Sequence, residues 1–294
     1  MRTSIIFVCC TMLVFLSECN FNRTVSKDLI SGITVSGNDL SCDDIFVTVN
    51  EEKKTGNTFV YGEKFVINFN NLTGFARTDD KVFPEMSLFV VNNSGDTVLR
   101  SVNLMSDYGE GISITPLLLT ASLTVASPVK SKEDYRAIVK ITDKKGTGKL
   151  TAVYPFKVVG NEKINIELNN ATIGEAYVYS EEDDRVITDN IINFGKNIHI
   201  VIEGIKGFNE IDGTVFPGLS FKATDSENNI VLASEDLFAK YTESGTDAAS
   251  LARRVSPWFS IPETDIKNPL HCEVIVWDKK GSARVRVTTD LVVE

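Results

Sequence analysis

Apolar and polar residues alternate with a period of two in several short segments, which predicts β-strands. Every second residue is apolar in residues 64–70 and 198–202, and again in residues 137–141 and 272–276. This alternation is typical of strands that bury one face. Turn residues separate the segments at the spacing of a β-sandwich, so we expect an all-β chain with about seven strands per sandwich.

One domain-sized unit occurs twice in tandem. The tetrapeptide DKKG of residues 143–146 recurs at residues 278–281, 135 positions later. Further matches lie 133 positions apart: residues 74–75 with 207–208, residues 82–84 with 215–217, and Tyr108 with Tyr241. The change of offset indicates a two-residue insertion after Tyr241, and insertions belong in loops. A period this long indicates duplicated domains rather than a solenoid.

Tyr135 follows a corner that contains Pro and acidic residues, and it resembles the tyrosine corner of immunoglobulin-like domains. The resemblance implies two tandem immunoglobulin-like sandwiches. In the second unit Leu270 replaces the Tyr, while Cys272 stands where strand F usually carries its Cys. The opposing strand offers no partner Cys, so the inter-sheet disulfide is not expected. We also predict a short helical turn at residues 104–108 and 237–241.

The first residues are typical of an export signal. Arg2 precedes an uncharged stretch from residue 3 to residue 17, too short to span a bilayer. We therefore expect a signal peptide at residues 1–19, a tether at residues 20–42, one sandwich at residues 43–160 and a second at residues 161–294.

The signal ends in Leu16-Ser17-Glu18-Cys19, which resembles a bacterial lipobox except at Glu18. Together with the tandem sandwiches, it is similar to exported lipoproteins of the Bacteroidota. The resemblance implies that Cys19 carries a lipid and anchors the protein to the outer membrane, facing either the periplasm or the surface. The alternative is cleavage by ordinary signal peptidase after Cys19, which would leave the protein secreted.

The net charge of −10 argues against nucleic acid as a partner. Residues 43–160 hold 14 basic and 14 acidic residues, whereas residues 161–294 hold 13 basic and 23 acidic ones. The second unit therefore carries the net negative charge. This favours a soluble acidic surface, or a basic partner on that half.

The sequence offers little for catalysis or metal binding. The two histidines, His199 and His271, are expected to point outward from separate strands. The acidic run at residues 181–184 lacks the ligand spacing of a calcium loop, and the glycines of residues 146–148 are expected to form a hairpin turn. Cys42 and Cys272 are expected to be unpaired thiols. We predict no cofactor, no metal site and no catalytic residue.

Trp277 and Trp258 are the candidate contact residues. Trp277 occupies an outward strand position where the first unit has Thr142. It either packs against the neighbouring domain or a covering loop, or forms a stacking platform for a sugar or an anchor for a protein partner. Trp258 precedes Phe259, and one of the two is expected to face the core.

These observations favour a non-catalytic lipoprotein that binds or scaffolds partner proteins within an outer-membrane complex. Two alternatives remain open. One is a glycan-binding surface lipoprotein that uses Trp277 or Trp258, and the other is an adhesin or pilus-type subunit whose sandwich edges pair between protomers.

Overall fold

The computed structural model describes residues 23–27 and 32–294, which fold into two β-sandwiches preceded by a short strand. The strand and the first sandwich comprise β1 (Arg23–Lys27), β2 (Thr34–Asn38), β3 (Asp44–Val49), β4 (Glu52–Lys53), β5 (Thr58–Val60), β6 (Lys64–Asn70), β7 (Pro84–Asn92), β8 (Thr97–Ser101), a 3₁₀ helix (Ser106–Tyr108), β9 (Leu119–Thr124), β10 (Glu133–Asp143) and β11 (Lys149–Val159).

The second sandwich repeats this order and adds a short strand pair and two helices. It comprises β12 (Ile164–Asn169), β13 (Glu175–Ser180), β14 (Arg185–Ile187), β15 (Ile191–Ile192), β16 (Ile198–Glu203), β17 (Thr214–Val215), β18 (Pro217–Thr224), β19 (Ile230–Ser234), α1 (Tyr241–Ser244), β20 (Thr246–Asp247), α2 (Ala248–Arg253), β21 (Trp258–Phe259), β22 (Leu270–Asp278) and β23 (Arg284–Val293).

The two sandwiches share one sheet topology. In the first, one sheet has the order β4-β3-β6-β9 and the other β1-β2-β11-β10-β7-β8. In the second, the corresponding sheets have the orders β14-β13-β16-β21 and β12-β23-β22-β18-β19. In both, a short strand joins the last long strand in parallel: β5 pairs with β11, and β15 with β23. The tandem immunoglobulin-like architecture expected from the sequence is therefore confirmed.

The alternating residues meet in the two cores as predicted. Phe65, Ile67 and Phe69 on β6 are fully buried, and so are Ile198, Ile200 and Ile202 on β16. Each sandwich thus packs two inner sheet faces against each other, which removes apolar surface from water on both sides. Aromatic side chains dominate the first core, where stacked and edge-to-face contacts link Phe59, Phe65, Tyr154 and Phe156.

The repeated DKKG segments are hairpin turns that also fasten a neighbouring loop. The carboxylate of Asp143 is buried and accepts hydrogen bonds from the backbone N–H of Ala76 at 2.6 Å and of Lys145 at 2.9 Å. The second sandwich repeats both bonds, at 2.6 and 2.9 Å, among Asp278, Asn209 and Lys280. The identity of the two segments therefore has a structural cause, since the same buried carboxylate satisfies the same backbone groups in each copy.

The tyrosine corner is present in the first sandwich. The backbone N–H of Lys130 donates to the hydroxyl of Tyr135 at 2.9 Å, and that hydroxyl donates to Glu133. Burial raises the pKa of Tyr135 to about 12. In the second sandwich, the buried side chain of Leu270 fills this place without a polar partner.

Of the expectations about local structure, the tether needs correction. Residues 20–42 were predicted to be a tether, but β1 and β2 lie within this range and β2 pairs with β11, so the first sandwich begins before residue 43. The apolar residues Ile33 and Val35 explain the difference, since they are buried in the core. The helical turn predicted at residues 237–241 is present as consecutive turns that lead into α1 at Tyr241, and the 3₁₀ helix that ends at Tyr108 lies within the range predicted for the other turn.

Candidate functional site

The two candidate tryptophans lie on different sheets of the second sandwich, so they do not form one site. Trp258 is on the edge strand β21 and its side chain is 62% exposed. The adjacent Phe259 is buried and stacks on Phe221 with 4.9 Å between ring centroids. Residue 258 is therefore the member of this aromatic pair that solvent can reach.

Trp277 is half-buried because its indole covers a glycine on the next strand. Trp277 on β22 is directly opposite Gly218 on β18, and a Cβ atom added to Gly218 would lie 2.1 Å from the indole. In the first sandwich the equivalent pair is Thr142 opposite Glu85. Trp277 thus packs on its own sheet rather than standing free as a platform.

Trp258 belongs to a row of three side chains on the outer face of the β13-β16-β21 sheet. Tyr179 is directly opposite His199, and His199 is directly opposite Trp258. The rings of Tyr179 and His199 meet edge-on at 6.1 Å. We call Tyr179, His199 and Trp258 the aromatic row.

Neighbouring polar groups hold the aromatic row in place. The Nδ1 atom of His199 lies 3.0 Å from Ser256 Oγ, and its Nε2 atom lies 3.4 Å from Glu181 Oε2. Tyr179 donates to Asp184 at 2.7 Å. The second histidine, His271, is on β22 in the other sheet and contacts Asp290 at 2.7 Å, so the two histidines are not brought together.

A tyrosine–carboxylate cluster joins the two sandwiches. Glu203 on β16 accepts a hydrogen bond from Tyr177 at 2.7 Å and another from Tyr61 of the first sandwich at 3.3 Å. The backbone N–H of Ser127 donates to the hydroxyl of Tyr61, and the two tyrosine rings lie 5.5 Å apart. Burial raises the pKa of both phenols, so both remain protonated donors at neutral pH.

A second carboxylate crosses the same junction. Glu175, directly opposite Glu203 on the neighbouring strand, accepts a hydrogen bond from the backbone N–H of Ser131 at 2.8 Å. Burial raises the pKa of Glu175, and the nearby charge of Glu203 adds to the effect. Gly62 also approaches the second sandwich so closely that an added Cβ atom would lie 2.2 Å from Val186. Hydrogen bonds and close packing thus fix the two sandwiches against each other.

A groove of about 660 Å³ lies at this junction. Residues of both sandwiches line it, and Tyr179 connects it to the aromatic row. Its volume is within the usual range for small-molecule sites. We call it the junction groove, and its lining residues are Asn50, Tyr61, Gly62, Glu63, Lys64, Thr124, Ala126, Tyr177, Tyr179, Asp183, Asp184, Arg185, Val186, Thr188 and Arg254.

The outer edge of β12 differs from its counterpart in the first sandwich. Strand registers make Ile166 equivalent to Val35, and Leu168 equivalent to Gly37. Val35 is 7% exposed and Gly37 is buried, whereas Ile166 is 39% and Leu168 48% exposed. In the first sandwich β1 pairs along this edge, but within residues 23–27 and 32–294 β12 pairs only with β23. We call Ile166, Leu168 and the unpaired side of β12 the open edge.

The acidic run at residues 181–184 is occupied by the protein's own groups. Lys196 pairs with Asp183 and holds the pKa of that carboxyl below its ordinary value. The backbone N–H of Asn197 donates to Glu182 at 2.8 Å. Across the described residues, no three His, Cys, Asp or Glu side chains are grouped so that they could hold a metal ion.

The remaining sequence candidates have structural places. Cys42 and Cys272 are unpaired, and burial in the second core raises the pKa of the Cys272 thiol. Cys19 and the rest of residues 1–19 lie outside the described residues. In the part of the chain that is described, no helix is long and apolar enough to cross a membrane.

Sequence reasoning missed Tyr61, Tyr177, Tyr179 and Glu203. The alternation of Tyr177 and Tyr179 around Val178 was a usable signal, because it places both rings on the outer sheet face. The contact between Tyr61 and Glu203 spans 142 positions, so only the folded structure reveals it. The open edge also needed the structure, because the 133-position offset aligns Leu168 with Val35, and only the strand registers show that Leu168 takes the place of Gly37.

Comparison with known proteins yields only distant structural likenesses. No protein family model matches the sequence, and no curated protein matches it. Among solved structures, the fibronectin(III)-like modules of Clostridium thermocellum CbhA are 12% identical over 84% of this chain and 94% of that chain, with a TM-score of 0.21. The C-terminal domain of the Streptococcus pyogenes antigen I/II-family protein AspA is 13% identical over 85% of this chain and 100% of that chain, with a TM-score of 0.27.

A DUF3823 family protein from Bacteroides ovatus is 12% identical over 77% of this chain and 96% of that chain, with a TM-score of 0.21. At these identities and TM-scores the likenesses carry no argument about this chain, and its sandwich architecture rests on its own sheet topology. The chain is an all-β protein of two tandem immunoglobulin-like sandwiches.

Proposed function

We propose that this protein is a non-catalytic binding or scaffolding subunit of a protein complex in the bacterial cell envelope. The open edge of the second sandwich is the observation that carries the proposal. An exposed sheet edge with apolar side chains is a template for pairing with another chain, and proteins normally cover or charge such edges. In the first sandwich a strand covers the equivalent edge.

The occupant we propose is an extended segment of a partner protein. Added to β12, such a strand would gain main-chain hydrogen bonds and cover Ile166 and Leu168, as in other cases of strand addition. Full burial of an Ile or Leu side chain contributes about 1.5–3 kcal/mol, and these two side chains are already partly covered. The fitting segment has two apolar residues two positions apart, with one polar residue between them.

The opposite face of β12 favours a polar neighbour. Arg286 forms ion pairs with Glu167 on β12 and with Glu273 on β22. A strand beside β12 would present its polar residues to this charged row and its apolar residues to the core side. The partner segment must therefore alternate apolar and polar residues, because one face of β12 is apolar and the other is charged.

Variants of the open edge test this function. Ile166→Lys combined with Leu168→Lys places charge on the edge, which discourages strand addition. Capture of envelope proteins by this double variant should fall to background relative to the wild-type chain. Ile230→Lys is the matched control, because Ile230 is 63% exposed on β19 at the other end of the same sheet. Equal capture by all three chains would contradict the proposal.

The envelope location rests on the N-terminal sequence. We propose a lipid on Cys19 that anchors the protein to the outer membrane, as in lipoproteins of the Bacteroidota, facing either the periplasm or the surface. Mass spectrometry of the mature N-terminus tests this anchor. A lipid-modified Cys19 is the expected result, and an unmodified chain that starts at Asn20 would exclude the anchor.

The pilus-type alternative uses the same edge with a second copy of the chain as occupant. It predicts mass that grows with protein concentration in analytical ultracentrifugation, through strand exchange between protomers. A chain that stays monomeric at high concentration would eliminate this alternative and leave a different protein as the partner.

A further inference from the structure

We propose that the aromatic row and the junction groove form a binding site for a neutral oligosaccharide. The site lies on the sheet opposite to that of the open edge, so it adds a second activity to the proposed protein-binding function. The site requires neither the N-terminal anchor nor a partner strand.

The aromatic row supplies the stacking surface. Neighbouring strands are about 4.8 Å apart, so Tyr179 and Trp258 are about 10 Å apart across the three strands. This span suits a short oligosaccharide rather than a single sugar. The exposed indole of Trp258 offers an apolar face with a polar N–H at its edge, which matches the apolar faces and peripheral hydroxyls of a sugar ring.

The row is held ready for binding. His199 is fixed between Ser256 and Glu181, and Tyr179 is fixed by its hydrogen bond to Asp184. Since these side chains already have defined partners, a ligand would lose little affinity to ordering them. Glu181 and Ser256 also lie beside the row as acceptor and donor groups for hydroxyls.

The charge of the junction groove is balanced, so the groove attracts neither anions nor cations overall. Its lining carries equal numbers of basic and acidic side chains: Lys64, Arg185 and Arg254, and Glu63, Asp183 and Asp184. A phosphate or carboxylate ligand would meet the three carboxylates, and a cationic ligand would meet the three basic groups. A neutral molecule with many hydroxyls can donate to one set and accept from the other.

The protein holds two tryptophans, which permits a direct assay. In the Trp277→Phe variant, Trp258 is the sole tryptophan and its fluorescence reports on the row. The probes are hexasaccharides of glucose, mannose, galactose, xylose and N-acetylglucosamine in α and β linkages. At least one should shift the Trp258 emission to shorter wavelengths in a saturable manner. The same sugar should leave the emission of the Trp258→Phe variant, which retains Trp277, unchanged.

Two further variants connect the signal to the site. By calorimetry, Trp258→Ala and Tyr179→Ala should each weaken binding of that sugar about tenfold, the equivalent of one aromatic stacking contact. The double variant of the open edge, Ile166→Lys with Leu168→Lys, should bind it as the wild type does. Thermal melting followed by circular dichroism checks that each variant is folded.

The proposal is overturned if no neutral hexasaccharide shifts the Trp258 emission. It is equally overturned if binding survives both Trp258→Ala and Tyr179→Ala. None of these results affects the protein-binding proposal, which is tested at the open edge.

Discussion

The indole of Trp277 lies directly over Gly218, its partner across the β18–β22 strand pair. The first sandwich has Thr142 and Glu85 at the same two positions, with 3.5 Å between the Thr hydroxyl and the carboxylate. In the second sandwich the large indole of Trp277 is thus accommodated because Gly218, on the next strand, has no side chain. The two changes form one packing unit.

Gly218→Ala should therefore destabilise the protein, by about 1–3 kcal/mol, because the new methyl group displaces the indole. In a Trp277→Thr background the same substitution should cost little. Urea unfolding of the four chains in this double-mutant cycle measures the coupling. Equal costs in both backgrounds would show that the two residues do not act as a unit.

Gly62 should be sensitive to substitution because the second sandwich packs against it. Gly62 has φ +91°, and Gly56 has a similar φ of +85° with no neighbour close to an added Cβ atom. Gly56→Ala should cost about 1 kcal/mol for the backbone conformation alone. Gly62→Ala should cost about 1–3 kcal/mol more, because its methyl group meets Val186.

Chemical denaturation of both glycine variants measures the difference, and Val186→Ala in the Gly62→Ala background should recover part of the loss. Equal losses at the two glycines would mean that the sandwiches do not pack at this point in solution.

Glu175 should make the junction weaker at neutral pH than at acidic pH. Burial and the charge of Glu203 raise its pKa in the folded state above the unfolded value of about 4.3. The folded state therefore holds the proton more tightly, and stability falls as pH rises from the unfolded pKa through the folded pKa. Glu175→Gln keeps an acceptor for Ser131 and removes this cost, so it should stabilise the protein at pH 7 but not below pH 4.

Asp183 provides the control of opposite sign. Lys196 and Ser180 hold the pKa of Asp183 below its ordinary value, so its contribution is present above the unfolded pKa and lost as pH falls through the folded one. Asp183→Asn should destabilise at pH 7 and have a smaller effect in acid. Urea midpoints at several pH values compare the two, and the same pH trend in both variants would contradict the account.

The buried turn carboxylates should be necessary in both copies. Asp143→Ala leaves the backbone N–H groups of Ala76 and Lys145 without their acceptor, and about 1–3 kcal/mol should be lost. Asp278→Ala should have a similar effect in the second sandwich. Asp143→Asn keeps one acceptor oxygen and should lose less. Thermal unfolding ranks the variants by their loss of stability. If Asp143→Ala unfolded at the same temperature as the wild type, the buried carboxylate would not explain why the segment is repeated.

The sequence predicted what depends on local pattern. Alternation identified the inward residues of β6 and β16, and the tandem repeat predicted two similar sandwiches. The prediction of a tether was wrong because two apolar residues, Ile33 and Val35, are too short a pattern to indicate a strand. Their burial against the rest of the first sandwich places them in the sheet. Contacts between distant segments, such as Tyr61 with Glu203, have no signature within either segment.

The candidate residues divide in the same way. The exposure of Trp258 depends on its place at a sheet edge, and the packing of Trp277 depends on Gly218, 59 positions earlier in the sequence. The exposure of Trp258 follows from its neighbour, because Phe259 faces the core and the side chains of adjacent strand residues point to opposite faces. The packing of Trp277 could be found only from the strand register that pairs it with Gly218.

Site-specific photo-crosslinking at the open edge measures whether a partner strand binds beside β12. A photoreactive phenylalanine analogue replaces Leu168 in one chain and Ile230 in the control chain, and both are expressed in the native host. We expect a crosslinked partner at position 168 and none at position 230. Peptide mapping should place the link in an extended segment with alternating apolar residues. Absence of a crosslink at position 168, or equal crosslinks at both positions, would contradict the claim that the second sandwich holds its partner at β12.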